Sequence, residues 1–353
     1  MKICLLGDTH FGIRNDSMAF HRYYDKFYSE HFFDYLKEND IKTVIQLGDL
    51  FDRRKYINFI SLAESRRYFF DRVVECGIDF HALIGNHDIF WKNSVNVNSP
   101  DLLLKDYDNI TLWQEPGALE IDGKVFDMIP WICKENQQEI FDYINSSTSP
   151  LCIGHFELAG EGFQLMKGVS AHDGMNSSFL DRYDAVFSGH YHTQSESGNI
   201  KYLGTPYELF WSDYNDPKGF FIFDTDTSKV EFVKNEFSMF HKIFYDDSQE
   251  IPDIDFEKFR DAYIKVVVLN KQSPYLFDKL LDELYNVSPA HVAIIEDFGD
   301  DVLADFDGEL IDQAEDTLTI LSNYIDQQKI NEPQKVKTLM HELYVEALSQ
   351  ETV

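Results

Sequence analysis

The chain has 353 residues, 44% of them hydrophobic and 26% charged, with 18 glycines and 10 prolines; collagen-like and disordered classes are excluded and a large core is expected. Its formal net charge is −31, unevenly spread: residues 1–100 carry 13 basic and 14 acidic side chains, residues 101–353 carry 18 and 48. A polyanion therefore has to approach the N-terminal third, and unaided binding to nucleic acid is expected to be weak.

From Lys2 to about Glu196, short apolar runs alternate with helix-like segments. Strands are predicted over Ile3–Gly7, Thr43–Gly48, Phe80–Gly85, Val125–Ile129, Leu151–Gly154 and Ala185–Gly189. Helices are predicted over Ser17–Asn39, Ile57–Cys76 and Glu135–Asn145, which makes the region α/β with a substantial parallel part. Lys201–Leu203, Gly219–Asp224 and Val230–Val233 read as the closing strands of a second sheet. Beyond about Phe237 a strand over Tyr263–Leu269, a helix over Ser273–Tyr285 and a strand over His291–Ile295 form a small unit of their own.

Nine acids and no base lie between Asp297 and Asp316, the pattern of a solvated linker running into a helix N-terminus. Helix patterns follow over Gly308–Gln328 and Pro333–Gln350. No apolar run reaches the roughly 18 to 20 residues of a membrane span, and the run Ile3–Leu6 is too short for a signal-peptide core. The cysteines, Cys4, Cys76, Cys133 and Cys152, form no C-x-x-C pair and read as reduced packing residues of a cytoplasmic protein.

The chemistry concentrates at strand ends. Five apolar runs end in glycine followed at once by polar residues: Gly7-Asp8-Thr9-His10, Gly48-Asp49, Gly85-Asn86-His87-Asp88, Gly154-His155 and Gly189-His190-Tyr191-His192. Loops after the carboxyl ends of parallel strands converge on one edge, and glycine lets the backbone turn tightly there. Asp8 and Asp49, Asn86 and five His are thereby aimed at one place. Imidazole and carboxylate donors without thiolate suit Mn²⁺, Fe²⁺ or Zn²⁺, and eight side chains exceed what one ion uses, so two ions are implied.

The ordered series D-x-H, G-D-x-x-D, G-N-H-D, G-H and G-H-x-H resembles the calcineurin-like metallophosphoesterase superfamily over roughly residues 1–234. That resemblance implies a two-sheet sandwich flanked by helices. It also implies one metal held by Asp8, His10, Asp49 and His192, and another by Asp49, Asn86, His155 and His190, with Asp49 bridging. His87 matches the superfamily's non-ligand histidine, which stabilises the transition state and protonates the leaving alkoxide. Asp52 matches the acid that orients it, or else caps the following helix.

Gly48-Asp49-Leu50-Phe51-Asp52, Ile129-Pro130-Trp131, Tyr202-Leu203-Gly204-Thr205-Pro206 and Lys218-Gly219-Phe220 further resemble the SbcD-type recombination nuclease subunits, closest to the version in T-even-like phages. The resemblance implies a nuclease domain (1–234), a small α+β capping domain for DNA recognition (235–296) and an acidic linker with a helical segment (297–353) that docks onto an SMC-like coiled-coil ATPase. It implies exonuclease and endonuclease action on DNA with two Mn²⁺, or Mg²⁺ in their place, in recombination, repair and replication. The compartment is then the host cytoplasm for a phage-encoded chain.

Other readings stay open beside these. Arg53, Arg54 and Lys55 follow the Asp49 loop, as DNA phosphate contacts or as an ordinary solvated turn. The helix over residues 57–76 is apolar on more than one side, as a homodimer face or as a helix sandwiched in the core. Trp91, Trp131 and Trp211 could stack on bases or simply pack. In the last helix Val336, Leu339, Met340, Leu343, Tyr344 and Ala347 share one stripe, for the ATPase or for the second domain's own sheet. A phosphomonoesterase with the same metals and an inactive scaffold are the alternative functions.

Overall fold

The computed structural model describes residues 1–249, 254–296 and position 336. Met1–Leu209 and Asp213–Ile295 form one compact unit, Phe210–Ser212 and Glu296–Val353 another. The expected acidic linker and C-terminal helices, with the ATPase-docking stripe, lie outside the described residues apart from Val336. No helix among the described residues is long and apolar enough to cross a membrane.

The first unit is built on two six-stranded sheets. In the first, the order is Lys229–Lys234, Gly219–Asp224, Lys2–Leu6, Thr43–Gln46, Asp79–Leu83 and Ile110–Trp113, and the last four strands run parallel. In the second the order is Ser195–Ser197, Ile200–Tyr202, Ala185–Gly189, Leu151–His155, Lys124–Ile129 and Gly117–Ile121, its central four parallel. Ile3, Leu5, Ile45, Leu47 and Leu83 of the first sheet pack against Phe126, Met128, Ile153 and Phe187 of the second in one buried cluster. This is the expected α/β two-sheet sandwich, and both sheets hold their buried strands as near-continuous apolar runs.

One placement differs from the sequence reading. Gly219–Asp224 and Lys229–Lys234 extend the first sheet, not the second, with Lys2 opposite Asp224 and Leu5 opposite Phe221. Without them the wholly buried strand Ile3–Leu6 would be an open edge. Only Ile200–Tyr202 of that block joins the second sheet.

The two long helices cover the first sheet's outer face. Each is α-helical at both ends, with a wider π turn at Tyr28–Phe32 or Arg66–Phe70. The wider turn re-phases side chains, so Tyr68, Phe69 and Phe70 are all buried although consecutive. Aromatic rings dominate this layer; Tyr24 stacks on Tyr207 at 3.9 Å between centroids. Phe59, by contrast, is 87% exposed, with Ile60 and Val74 also open to solvent.

A third sheet has three parallel strands, Phe240–Asp246, Tyr263–Asn270 and His291–Ile295, with the helix Pro274–Asn286 crossing over between the last two. That helix starts as its sequence dictates, Ser273 capping Leu276 N–H and Pro274 in the first turn. The strand Phe240–Asp246 escaped the sequence reading because Phe240-His241-Lys242-Ile243 alternates too weakly to be told from a loop.

Glu208 ties the third sheet to the segment that follows the second. Its buried carboxylate accepts the N–H groups of Met239, at 2.6 Å, and Phe240, at 2.9 Å. Burial pushes its pKa up from 4.5 to about 7, more than these bonds lower it. Folding therefore takes up a proton between about pH 4.5 and 7, and the group's contribution to stability is lost as the pH rises through that window. Glu208→Gln keeps the acceptor and cannot ionise. Chemical denaturation at pH 5 and pH 8 is expected to show a stability difference smaller than in the parent protein by roughly 3 kcal/mol.

Candidate metal centre

Five parallel strands deliver the polar loops to one edge of the sandwich, as their shared direction requires. Lys2–Leu6 leads to Asp8 and His10, Thr43–Gln46 to Asp49 and Asp52, and Asp79–Leu83 to Asn86 and His87. From the second sheet, Leu151–His155 ends on His155 itself and Ala185–Gly189 leads to His190 and His192. The loops then bond to one another: Thr9 and His10 both donate their N–H to the carbonyl of Asp49, at 3.1 and 3.0 Å. Glycine is required where carboxylates pass close. A Cβ on Gly85 would collide with Asp49, and one on Gly189 with Asp8. His10, Asp49 and His190 hold φ values of 44°, 54° and 91°, a left-handed region costly for such residues and typical of functional sites.

The donors gather in two groups, Asp8 with His10 and His192, and Asp49 with His155 and His190. Within the first, the Nε2 atoms of His10 and His192 are 3.1 Å apart. Around the second, the Oδ1 of Asn86 lies 3.0 Å from His155 Nε2 and 2.9 Å from His190 Nδ1. Asp49 Oδ2 faces both groups, 3.3 Å from His155 Nε2 and 3.9 Å from His10 Nε2. Donors about 2.1 Å from one cation sit about 3 Å from one another, so these separations fit a divalent cation in each group. Tautomers agree: His155 Nδ1 donates to the carbonyl of Leu47 at 2.7 Å, which leaves Nε2 as the ligand atom.

The cluster is electrostatically crowded. Burial raises Asp8 to about 7 against the pull of His155, whereas in Asp49 the neighbouring His155, His87 and His10 outweigh burial and hold the carboxyl well below its usual range. Burial opposes charge on His10 and His155, but the carboxylates around them win and lift both to about 9. His190 falls to about 3 through burial and the neighbouring His155, and His192 falls through burial and His10. Cations entering such a site displace protons, so affinity rises with pH.

His87 lies beside the two groups, its ring edge-on to His10 at 4.9 Å. Its main-chain N–H donates to Asp49 Oδ1 at 2.7 Å, and its Nδ1 donates to the main-chain carbonyl of Asp52 at 2.7 Å. Asp52 thus reaches His87 through its backbone, while its carboxylate lies 3.4 Å from His10 Nδ1. Arg53 is engaged by Asp16 at 3.0 Å and Asn15 at 2.7 Å; Arg54 is half-buried and Lys55 exposed.

Three supports escaped the sequence reading. Asp88, the last residue of G-N-H-D, is buried and accepts from the N–H groups of Gly85, Leu50 and Phe51, locking two ligand loops together. Its motif was visible, its role was not. Trp131 lies 5.3 Å from His190 and 5.9 Å from His155, walling the centre. Lys218 donates to the carbonyl of His192 at 2.7 Å while paired with Asp213 and Asp216; no local pattern announces a contact across 26 residues.

Comparison with known proteins places the chain beside a family, a curated relative and solved structures. A family model described as calcineurin-like phosphoesterase matches residues 1–194. Exonuclease subunit 1 of Enterobacteria phage T4 is 38% identical over 268 residues, 76% of this chain and 77% of that protein. Among solved structures, a novel archaeal phosphodiesterase aligns at 15% identity over 67% of this chain and 100% of its own, with a TM-score of 0.34. The inner-membrane-complex anchor GAP50 of Plasmodium aligns at 12% over 67% and 90%, with a TM-score of 0.40.

Two substitutions probe the centre directly. Asp49→Asn weakens the oxygen that faces both groups, and Gly85→Ala displaces the same carboxylate while leaving every candidate ligand unsubstituted. Both are expected to bring bound divalent metal, measured by elemental analysis after gel filtration in Mn²⁺, below half that of the parent protein.

Proposed function

The chain belongs to the calcineurin-like phosphoesterase family, and from that membership we propose that it is a nuclease subunit hydrolysing DNA phosphodiesters, by exonuclease action on duplex ends and endonuclease action on single strands. The carrying observation is the likeness to the phage T4 exonuclease subunit over three quarters of both chains. The two donor groups agree with a two-metal centre, occupied by Mn²⁺ or by Mg²⁺ in its place. Such cations, when bound, lower the pKa of a shared water and neutralise charge on the phosphoryl oxygens.

The chain's own residues have distinct tasks in this reading. Asp8, His10, Asp49 and His192 hold one cation, and Asp49, Asn86, His155 and His190 the other. His87 presents Nε2 to the leaving oxygen and gives it a proton, its Nδ1 fixed by the Asp52 carbonyl. Asp52 orients both histidines, through its carbonyl for His87 and its carboxylate for His10. Arg54 and Lys55 contact the DNA backbone; Arg53, already bonded to Asp16, shapes that turn more than it offers charge.

The assembly follows from the same reading. Residues 235–296 act as the DNA-recognising cap, and residues 297–353 dock onto an SMC-like coiled-coil ATPase in the host cytoplasm, for recombination, repair and replication. A second copy covers the exposed Phe59 and Ile60 on the 57–76 helix.

With full-length protein in Mn²⁺, a labelled oligonucleotide is expected to be cut while p-nitrophenyl phosphate is left intact. Preference for the monoester returns the phosphomonoesterase reading, and inertness towards both returns the scaffold. His87→Ala is expected to keep its metals and lose at least about 100-fold in cleavage, the scale of a general acid; loss of metal from this variant would refute its role. Truncation after Asp297 is expected to leave a fragment that keeps metals and unstimulated cleavage but no longer copurifies with the ATPase.

A further inference from the structure

Two residues past His87 the chain forms a small antiparallel hairpin, Ile89–Trp91 against Ser94–Asn98, turning through Lys92 and Asn93. Its tip is unusual. Trp91 is 54% exposed and Phe90 37%, their rings edge-on at 4.9 Å and 77°. Exposed aromatics on a tight turn gain nothing from the core, although the chain buries most of its other large rings.

The hairpin is rigidly rooted in the metal centre. Ile89 and Val95 are buried with Ile84 and Cys133 and packed by Trp131, the residue that walls His155 and His190. Ser99 N–H bonds the carbonyl of Asp88 at 2.8 Å, closing the base, and the Asp88 carboxylate is held by the N–H groups of Gly85, Leu50 and Phe51. Four residues of chain span at most roughly 14 Å, so Trp91 stays within about four stacked nucleotide rises of His87.

Charge and size identify the occupant. The hairpin tip carries Lys92, and the carboxylate bonded to the hairpin, Glu135, sits on Asn96 at 2.8 Å, in a chain of net charge −31. Two partly exposed rings offer roughly 200 Å², far short of the ~800 Å² that each side of an ordinary protein interface buries, but suited to the face of one base. We propose that Phe90 and Trp91 form a stacking platform for an unpaired base of the DNA strand entering the centre, with Lys92 on the adjoining phosphate. Trp91 and Phe90 then set substrate choice: they favour strands with a base free to leave its neighbours over small phosphodiesters and paired duplex. This rests on the nuclease reading and adds to it a specificity element that the metal centre alone does not supply.

The test compares full-length parent, Trp91→Ala and Trp91→Phe proteins in Mn²⁺ on a single-stranded oligonucleotide and on bis(p-nitrophenyl) phosphate. The ratio of kcat/KM for the oligonucleotide to that for the small diester is expected to fall about tenfold in Trp91→Ala, within the worth of one base–aromatic stack, and to recover in Trp91→Phe. Abasic sites placed within four nucleotides of the cut bond should lower the parent ratio by the same factor and add nothing to Trp91→Ala. An unchanged ratio, or abasic and Trp91→Ala effects that multiply independently, overturns the platform while leaving the nuclease reading intact. Parent protein that hydrolyses the diester but no DNA removes both.

Discussion

Seven candidate ligands, nearly all out of water, are held within bonding range of shared points, and the rest of the molecule is arranged around keeping them there. Left to themselves these groups would relax apart or neutralise, since buried charges and facing imidazole nitrogens repel or desolvate at considerable cost. They are prevented by backbone. Asp49 receives the His87 N–H, Asp8 receives the His190 N–H at 2.9 Å, and His155 is fixed by the Leu47 carbonyl. Each ligand loop is thereby bonded to another loop, and three ligands accept left-handed φ values worth about 1 to 3 kcal/mol of strain each. The apolar contact between the two sheets supplies the stability that this strain draws on.

The centre was legible because its chemistry is local. Each donor stands within four residues of a strand-ending glycine, so a near-continuous apolar run and the residues after it carry both position and identity. What the sequence hid was long-range pairing. Gly219–Asp224 reads as a closing strand of the second sheet, and only the need to cover Ile3–Leu6 places it on the first. Asp52 was placed by its motif on His87, whereas its carboxylate faces His10, because a motif names neighbours but not which atom of a residue makes the contact. The π turns at Tyr28–Phe32 and Arg66–Phe70 were equally invisible: they arise from fitting consecutive large rings under one surface, a packing demand that helical periodicity does not encode.

The segment from Leu203 to Lys218 joins the centre to the third sheet. Thr205 N–H and Lys218 Nζ both bond the carbonyl of His192, and Glu208 bonds the first residues of the third sheet. Lys218 lies buried between Asp213 and Asp216, each 2.8 Å away, and its pKa is raised because these carboxylates outweigh burial. A buried charge satisfied in one arrangement only fixes geometry more than it adds stability. The same loop therefore sets the backbone of a candidate metal-ligating histidine and receives the first residues of the third sheet.

The charge distribution bears on how phosphates reach such a site. At physiological ionic strength the Debye length is about 8 Å, so the acidity of residues 101–353 repels DNA at a distance only in dilute salt. Closer in, the local inventory decides. Residues 1–100, which provide Asp8, His10, Asp49, Asn86, His87 and the hairpin, carry 13 bases against 14 acids, and two of those acids, Asp8 and Asp49, belong to the candidate metal groups. Divalent ions held there would reverse the sign of the local potential, whereas distant acids are screened. Attraction is thereby confined to the centre and its rim. On the nuclease reading proposed above, contacts that do not depend on charge, base stacking foremost, would carry a larger share of strand recognition than in a basic nuclease, and an additional source of DNA affinity would be best supplied by another subunit.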